Sequence, residues 1–138
     1  MSTLIFKNKK VVAMVPARLG SKRVKSKNLR FINGKPLISH VLSTLKDIEI
    51  FDSVYVNSDG MIFKEIAEEF GFNFYHRAEN LADDEATNDQ FAYDFLCNVE
   101  CDYLVQVLPT SPFLLKTEVE KFSASLISRD LDCLISVV

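Results

Sequence analysis

The sequence predicts one α/β domain: a mostly parallel sheet with helices on both faces. Three observations lead there. Short apolar runs alternate with segments whose apolar residues recur at helical spacing. The first run, Val11–Val15, does not alternate with polar residues, as expected of a strand buried on both faces. Later runs end in turn-forming residues, Asn57-Ser58-Asp59-Gly60 and Pro109-Thr110-Ser111-Pro112.

In chain order, residues 1–10 read as a polar, lysine-containing lead-in. The strand at Val11–Val15 opens into a loop reaching about Arg30. Phe31-Ile32-Asn33-Gly34-Lys35-Pro36 carries a turn signal, with Pro36 suited to the first turn of a helix. That helix buries Leu37, Ile38, Val41, Leu42 and Leu45. Val54-Tyr55-Val56 is a second strand. Ile62, Phe63, Ile66, Ala67 and Phe70 mark the next helix, stopped by Gly71. Phe72–Tyr75 is a third strand. Thr87 and Gln90 form a capping-box signal for a helix whose apolar face includes Phe91, Phe95 and Leu96. Tyr103–Leu108 is a fourth strand. Thr117 and Glu120 offer a second capping box, before a helix using Val119, Phe122 and Leu126. Cys133–Val138 reads as a fifth strand with no covering helix after it, so the domain is expected to be incomplete at the C-terminus.

At 138 residues and 48% hydrophobic content, the chain can bury a core and is not disordered in composition. The formal net charge of −3 conceals a strong asymmetry. Ten of sixteen Lys and Arg residues precede Pro36, and the first acidic residue is Asp47. Such sorting suits an anionic ligand held at one place better than an extended nucleic-acid surface. Cys97, Cys101 and Cys133 lack metal-site spacing and read as thiols in a reducing compartment. No apolar run reaches membrane-spanning length, and no signal-peptide core follows the basic N-terminus. A soluble cytoplasmic protein is expected, with neither nucleic acid nor membrane as partner.

The chemistry concentrates in the loop after the first strand. Residues 18–30 contain six basic side chains and no acidic one. In an open parallel sheet, ligands sit beyond the carboxyl ends of strands. Residues 16–30, 57–60, 76–89 and 109–112 therefore converge on one crevice. Arg18, Lys22 and Arg23 lie nearest the strand end and suit a triphosphate; a merely solvated basic loop is the bland alternative. The loop is neither a Walker A sequence nor a Gly-x-Gly-x-x-Gly fingerprint. Ser58 and Asp59 fit substrate contact, loop support or helix capping equally well. Gln106, on an otherwise apolar strand, must find hydrogen-bond partners if buried. It either supports the sheet-end loops or reads a base edge, and Thr110 and Ser111 add hydroxyls beside it. Asp83, Asp84 and Glu85 read as solvated. With His40 and His76 alone, no histidine cluster can form a metal site. No nucleophile–base constellation stands out, which favours phosphate positioning by cations.

Pro16-Ala17-Arg18-Leu19-Gly20-Ser21-Lys22-Arg23, Lys27-Asn28-Leu29 and Gly34-Lys35-Pro36-Leu37-Ile38 together resemble the amino-terminal motif of the acylneuraminate cytidylyltransferases, the CMP-sialic acid synthetases. Ser58-Asp59 is similar to that family's second-strand terminus, and Glu79-Asn80-Leu81-Ala82-Asp83-Asp84 to its next substrate loop. Gln106-Val107-Leu108-Pro109-Thr110-Ser111-Pro112 resembles its Gln-x-Pro-Thr-Ser-Pro element, with two residues between Gln106 and Pro109. The resemblance implies a Rossmann-like nucleotidyltransferase fold, of which residues 1–138 are the amino-terminal portion of a CTP-binding domain. It implies CMP transfer from CTP to a 2-keto-3-deoxy acid sugar, with release of pyrophosphate. By the same resemblance Arg18 and Lys22 are catalytic. Arg18, Leu19, Gly20, Ser21, Lys22, Lys27, Asn28, Ser58 and Asp59 bind nucleotide. Gln106, Thr110, Ser111 and Arg77 bind the sugar. Mg²⁺ is the implied cofactor, its acidic ligands lying beyond residue 138, and the full-length protein is an implied homodimer.

This chain also departs from the family pattern. Leu19 stands where sialate enzymes commonly have Gly, and Pro16–Ser21 is equally like the CMP-Kdo synthetases. Lys27-Asn28-Leu29 favours the sialate side. His76-Arg77-Ala78 replaces the usual Arg-Pro start of the third loop. The sugar is thus left open among sialate, legionaminate or pseudaminate relatives and Kdo. A non-catalytic nucleotide-binding module is the alternative from a different class.

Overall fold

A computed structural model describes residues 9–17, 31–32, 34–77, 88–109 and 114–129. In chain order its elements are β1 (Val11–Pro16), β2 (Phe31–Ile32), β3 (Lys35–Pro36), α1 (Leu37–Leu45), β4 (Ser53–Ser58), α2 (Ile62–Glu69), β5 (Asn73–His76), α3 (Asn88–Asn98), β6 (Tyr103–Gln106) and α4 (Lys116–Ser128).

Four strands form one sheet in the order β5-β4-β1-β6, and every pairing in it is parallel. β1 is central, and each residue from Val11 to Val15 is fully buried. Its alternate side chains feed two cores, as a strand covered on both faces requires. Val11, Ala13 and Val15 pack with α1, α2 and α4 through Ile38, Val41, Phe63, Val119 and Leu126. Val12 and Met14 pack on the other face with Phe95 and Val99, from α3 and the residue just after it. Phe95 meets the edges of Tyr55 and Tyr75 at centroid distances of 5.2 and 5.1 Å. Each such contact adds roughly 0.5–1.5 kcal/mol beyond burial alone.

Several boundaries differ from the sequence expectation for physical reasons. β4 runs on through Asn57 and Ser58, which are polar yet fully buried. β6 ends at Gln106 instead of Leu108, and Leu108 is exposed. Pro36 precedes α1 instead of lying in its first turn, with φ −56° and ψ 145°. It closes a two-residue antiparallel ladder between β2 and β3, and Gly34 at the turn has φ +80°. α4 starts at Lys116, so Glu118 rather than Glu120 reaches back, accepting the Leu115 amide at 2.9 Å. Leu96 is exposed, outside the apolar face expected of it. The stop of α2 is as expected: Gly71 takes φ +75°, and the amides of Gly71 and Phe72 bond Glu68 and Ala67 carbonyls at 3.0 and 2.9 Å. Thr87 and the fifth strand at 133–138 lie outside the described residues. Among the described residues, no helix is long and apolar enough to cross a membrane.

Candidate active site

The strand order fixes where a ligand can sit. The chain moves from β1 outward to β4 and β5, then returns to place β6 on the other flank of β1. The crevice at such a reversal, beyond the carboxyl ends of the strands, is where open α/β sheets bind ligands. Here it lies between the ends of β1 and β6, beside that of β4. The residues richest in cations, 18–30, follow β1 in sequence.

Of the residues singled out from sequence, Ser58, Asp59, Arg77 and Gln106 are described. Arg18, Leu19, Gly20, Ser21, Lys22, Lys27, Asn28, Thr110 and Ser111 lie outside the described residues, as do residues 79–87 of the acidic segment. Gln106 is the last residue of β6, in register with Met14 of β1. It is half-buried and shares Met14's face of the sheet. The next amide, of Val107, donates to the Met14 carbonyl at 2.9 Å and holds the β6 end against β1. The segment leading to Thr110 and Ser111 therefore leaves the sheet beside the β1 end.

Ser58 and Asp59 close β4. Ser58 is wholly buried, and its Oγ accepts the Gly60 amide at 3.0 Å, tightening the turn into α2. Loop support is thus the role visible for it. Asp59 is half-buried at the same turn.

Arg77 follows β5 and is only 3% exposed. Its Nε donates to Asn57 Oδ1 at 2.9 Å, its Nη2 to the Asn57 carbonyl at 3.0 Å, and its amide to the Ser58 carbonyl at 2.7 Å. The guanidinium carbon lies 4.0 Å from the centre of the Phe91 ring. A buried guanidinium needs such acceptors and an aromatic face to offset its desolvation. Asn57, which sequence reasoning treated only as part of a strand-end turn, is the hub of this arrangement. The available signal was a polar residue continuing a strand that is apolar on its core face.

One titration shift lies near this edge. Burial first, and then the Asp94 carboxylate, push the Tyr75 phenol above its ordinary value. Among the described residues, no three His, Cys, Asp or Glu side chains gather to hold a metal ion. The described donor set does not by itself fit a divalent cation.

The frame above has clear counterparts. Residues 12–132 match the cytidylyltransferase family model. The chain belongs to the cytidylyltransferase family. It is 36% identical over 106 residues to the N-acylneuraminate cytidylyltransferase of Escherichia coli O18:K1:H7, covering 75% of this chain and 25% of that protein. It is 34% identical over 125 residues to 3-deoxy-manno-octulosonate cytidylyltransferase 2 of Hydrogenovibrio crunogenus, covering 89% and 49%. A solved structure of CMP:2-keto-3-deoxy-manno-octonic acid synthetase complexed with CTP superposes with a TM-score of 0.73 at 27% identity. That match covers 88% of this chain and 48% of the other. The chain spans between a quarter and a half of the length of these relatives. The Rossmann-like nucleotidyltransferase architecture expected from the sequence is the one found.

Proposed function

We propose that this cytidylyltransferase chain binds CTP at the β1–β6 crevice and takes part in transferring CMP to a 2-keto-3-deoxy acid sugar. The observation that supports this reading is that the buried central strand β1 ends at the reversal of strand order, with the cation-rich residues 18–30 following it in sequence. In the reaction, the anomeric hydroxyl of the sugar attacks the α-phosphorus of CTP. The bond from that phosphorus to the oxygen bridging to the β-phosphate breaks, pyrophosphate leaves, and the hydroxyl proton passes to solvent.

Arg18 and Lys22 offset the charge that builds on the phosphoryl oxygens. Ser21, Lys27, Asn28 and the backbone at Leu19 and Gly20 hold the triphosphate, with Ser58 and Asp59 bordering the nucleotide. Gln106, Thr110 and Ser111 frame the sugar from the β6 side. Mg²⁺ is the proposed ion, and a homodimer the proposed assembly of the longer protein. Sialate is the first choice of sugar, on the strength of Lys27-Asn28-Leu29. Kdo is the second, because relatives named for its transfer also match most of the chain, 89% and 88% of it.

The test measures pyrophosphate release with CTP, Mg²⁺ and either N-acetylneuraminate or Kdo, with the CMP-sugar identified by mass, alongside CTP binding by calorimetry. Release with CTP and not with ATP, in the presence of one of these sugars, is the expected result. No CTP binding and no release with any keto-acid sugar would sink the reading.

A further inference from the structure

Resting on the CTP-binding reading above, we infer that Arg77 is a positioning residue for the nucleotide, acting through Asn57 on the point where the chain leaves β1 for the cationic loop. The Asn57 carbonyl accepts two donors at once, the Ala17 amide at 2.9 Å and Arg77 Nη2 at 3.0 Å. The Asn57 side chain is held from both ends: Oδ1 accepts Arg77 Nε at 2.9 Å, and Nδ2 donates to the Met14 sulfur at 3.3 Å. Pro16 has no amide to give. Ala17 therefore supplies the last described backbone donor before residues 18–30, and its partner is the peptide group that Arg77 fixes.

All of these groups are out of water. Met14, Asn57 and Ser58 are fully buried, Ala17 is 1% exposed and Arg77 3%. No solvent is at hand to replace a lost bond, so the orientation of the Asn57 peptide depends on the guanidinium. The planar fork serves two acceptors on one residue while its face rests on Phe91, a geometry that lysine cannot reproduce. The network ties the ends of β1, β4 and β5 to α3. This role is separate from the sugar contact that the family resemblance implies for Arg77: Nε and Nη2 donate to Asn57, and the guanidinium face rests on Phe91. A shift at the root of a phosphate-holding loop costs ligand affinity even when every loop side chain is intact.

The test uses the full chain and Arg77→Lys, which keeps the charge and loses the fork. CTP affinity with Mg²⁺ is measured by calorimetry, and amide exchange by NMR at Ala17, with Val119 of α4, packed in the core on the opposite face of the sheet, as the reference amide. The expected result is folded Arg77→Lys protein that binds CTP about 10-fold more weakly. Its Ala17 amide should exchange at least about 10-fold faster than in the unaltered chain, with Val119 unchanged. Unaltered CTP affinity, or unaltered exchange at Ala17, would overturn the inference while leaving the CTP-binding reading intact. Failure of the unaltered chain to bind CTP overturns that reading and this inference with it. Should Arg77→Lys not fold, Asn57→Ser removes the Oδ1 that accepts Arg77 Nε and keeps the backbone carbonyl. Weaker CTP binding with faster Ala17 exchange in that variant supports the inference, and no change in either rejects it.

Discussion

At the amino edge of the sheet, the carboxylates of Asp52 and Asp102 accept the amides of Val11 and Lys10 at 2.8 and 2.6 Å. At the carboxyl edge, the Arg77 guanidinium donates to Asn57. Both edges tie β1 to its neighbours, but they do so in different media. Asp52 and Asp102 are exposed, so water can take over their bonds, whereas Asn57 and Arg77 are buried and have no such substitute. The dry edge is the one at which β1 ends and the cation-rich residues 18–30 follow in sequence. Rigid strand ends that position a charged loop are what a phosphate-binding crevice needs, because ligand affinity then is not spent on ordering the frame.

The contrast breaks most sharply where binding and stability can be separated. In the proposed role of Lys22, Lys22→Ala should lower CTP-dependent turnover by about 100-fold in kcat/KM, the effect expected of removing a cation from developing phosphoryl charge. Its thermal midpoint should stay that of the parent chain. Lys64→Ala, on the exposed side of α2, should change neither quantity. Equal losses in the two variants would mean that net charge, not the crevice, attracts the nucleotide.

A smaller effect compares the two edges directly. Asn57→Leu removes the Oδ1 that accepts Arg77 Nε and should cost roughly 3 kcal/mol in urea unfolding. Asp52→Ala removes a single exposed carboxylate bond and should cost about 1 kcal/mol or less. Similar losses at both positions would show that the dry edge is no more dependent on its polar contacts than the wet one.

What could be read in the sequence follows the same division between local and distant causes. β1 was legible because an unbroken run such as Val11–Val15 suits only a strand covered on both faces. α1 and α2 were legible from their apolar spacing, and the stop at Gly71 from the conformation that only glycine adopts cheaply. The true end of β4 was not, because Asn57 and Ser58 look like surface turn residues until their partners are known. Arg77 lies 20 residues from Asn57, and no local pattern announces that pair. The β2–β3 ladder is too short to show periodicity, and strand order leaves no mark on any one segment. For the site, family-like spacing pointed to loops that lie mostly outside the described residues, while the buried Arg77–Asn57 network at the strand ends emerged only from the fold.

The mildest prediction concerns pH at the α3 side of the sheet. The Tyr75 hydroxyl donates to Asp94 Oδ2 at 2.8 Å and accepts from Asn98 Nδ2 at 2.9 Å. Burial and the Asp94 carboxylate raise its pKa above the ordinary value of 10.0. The folded chain therefore holds this proton more tightly than the unfolded chain does. Its stabilising contribution is fully present below the unfolded-state value and is lost as pH rises through the folded-state value. Tyr75→Phe keeps the edge contact with Phe95 but has no proton to lose. The stability gap between parent and variant, from urea midpoints at intervals from about pH 8 to about pH 11, should therefore narrow at the alkaline end. Other tyrosines titrate alike in both proteins and cancel in the difference. A gap that stays constant over that range would mean that the phenol is as easily ionised in the fold as in the unfolded chain, and that the Asp94 contact does not constrain it.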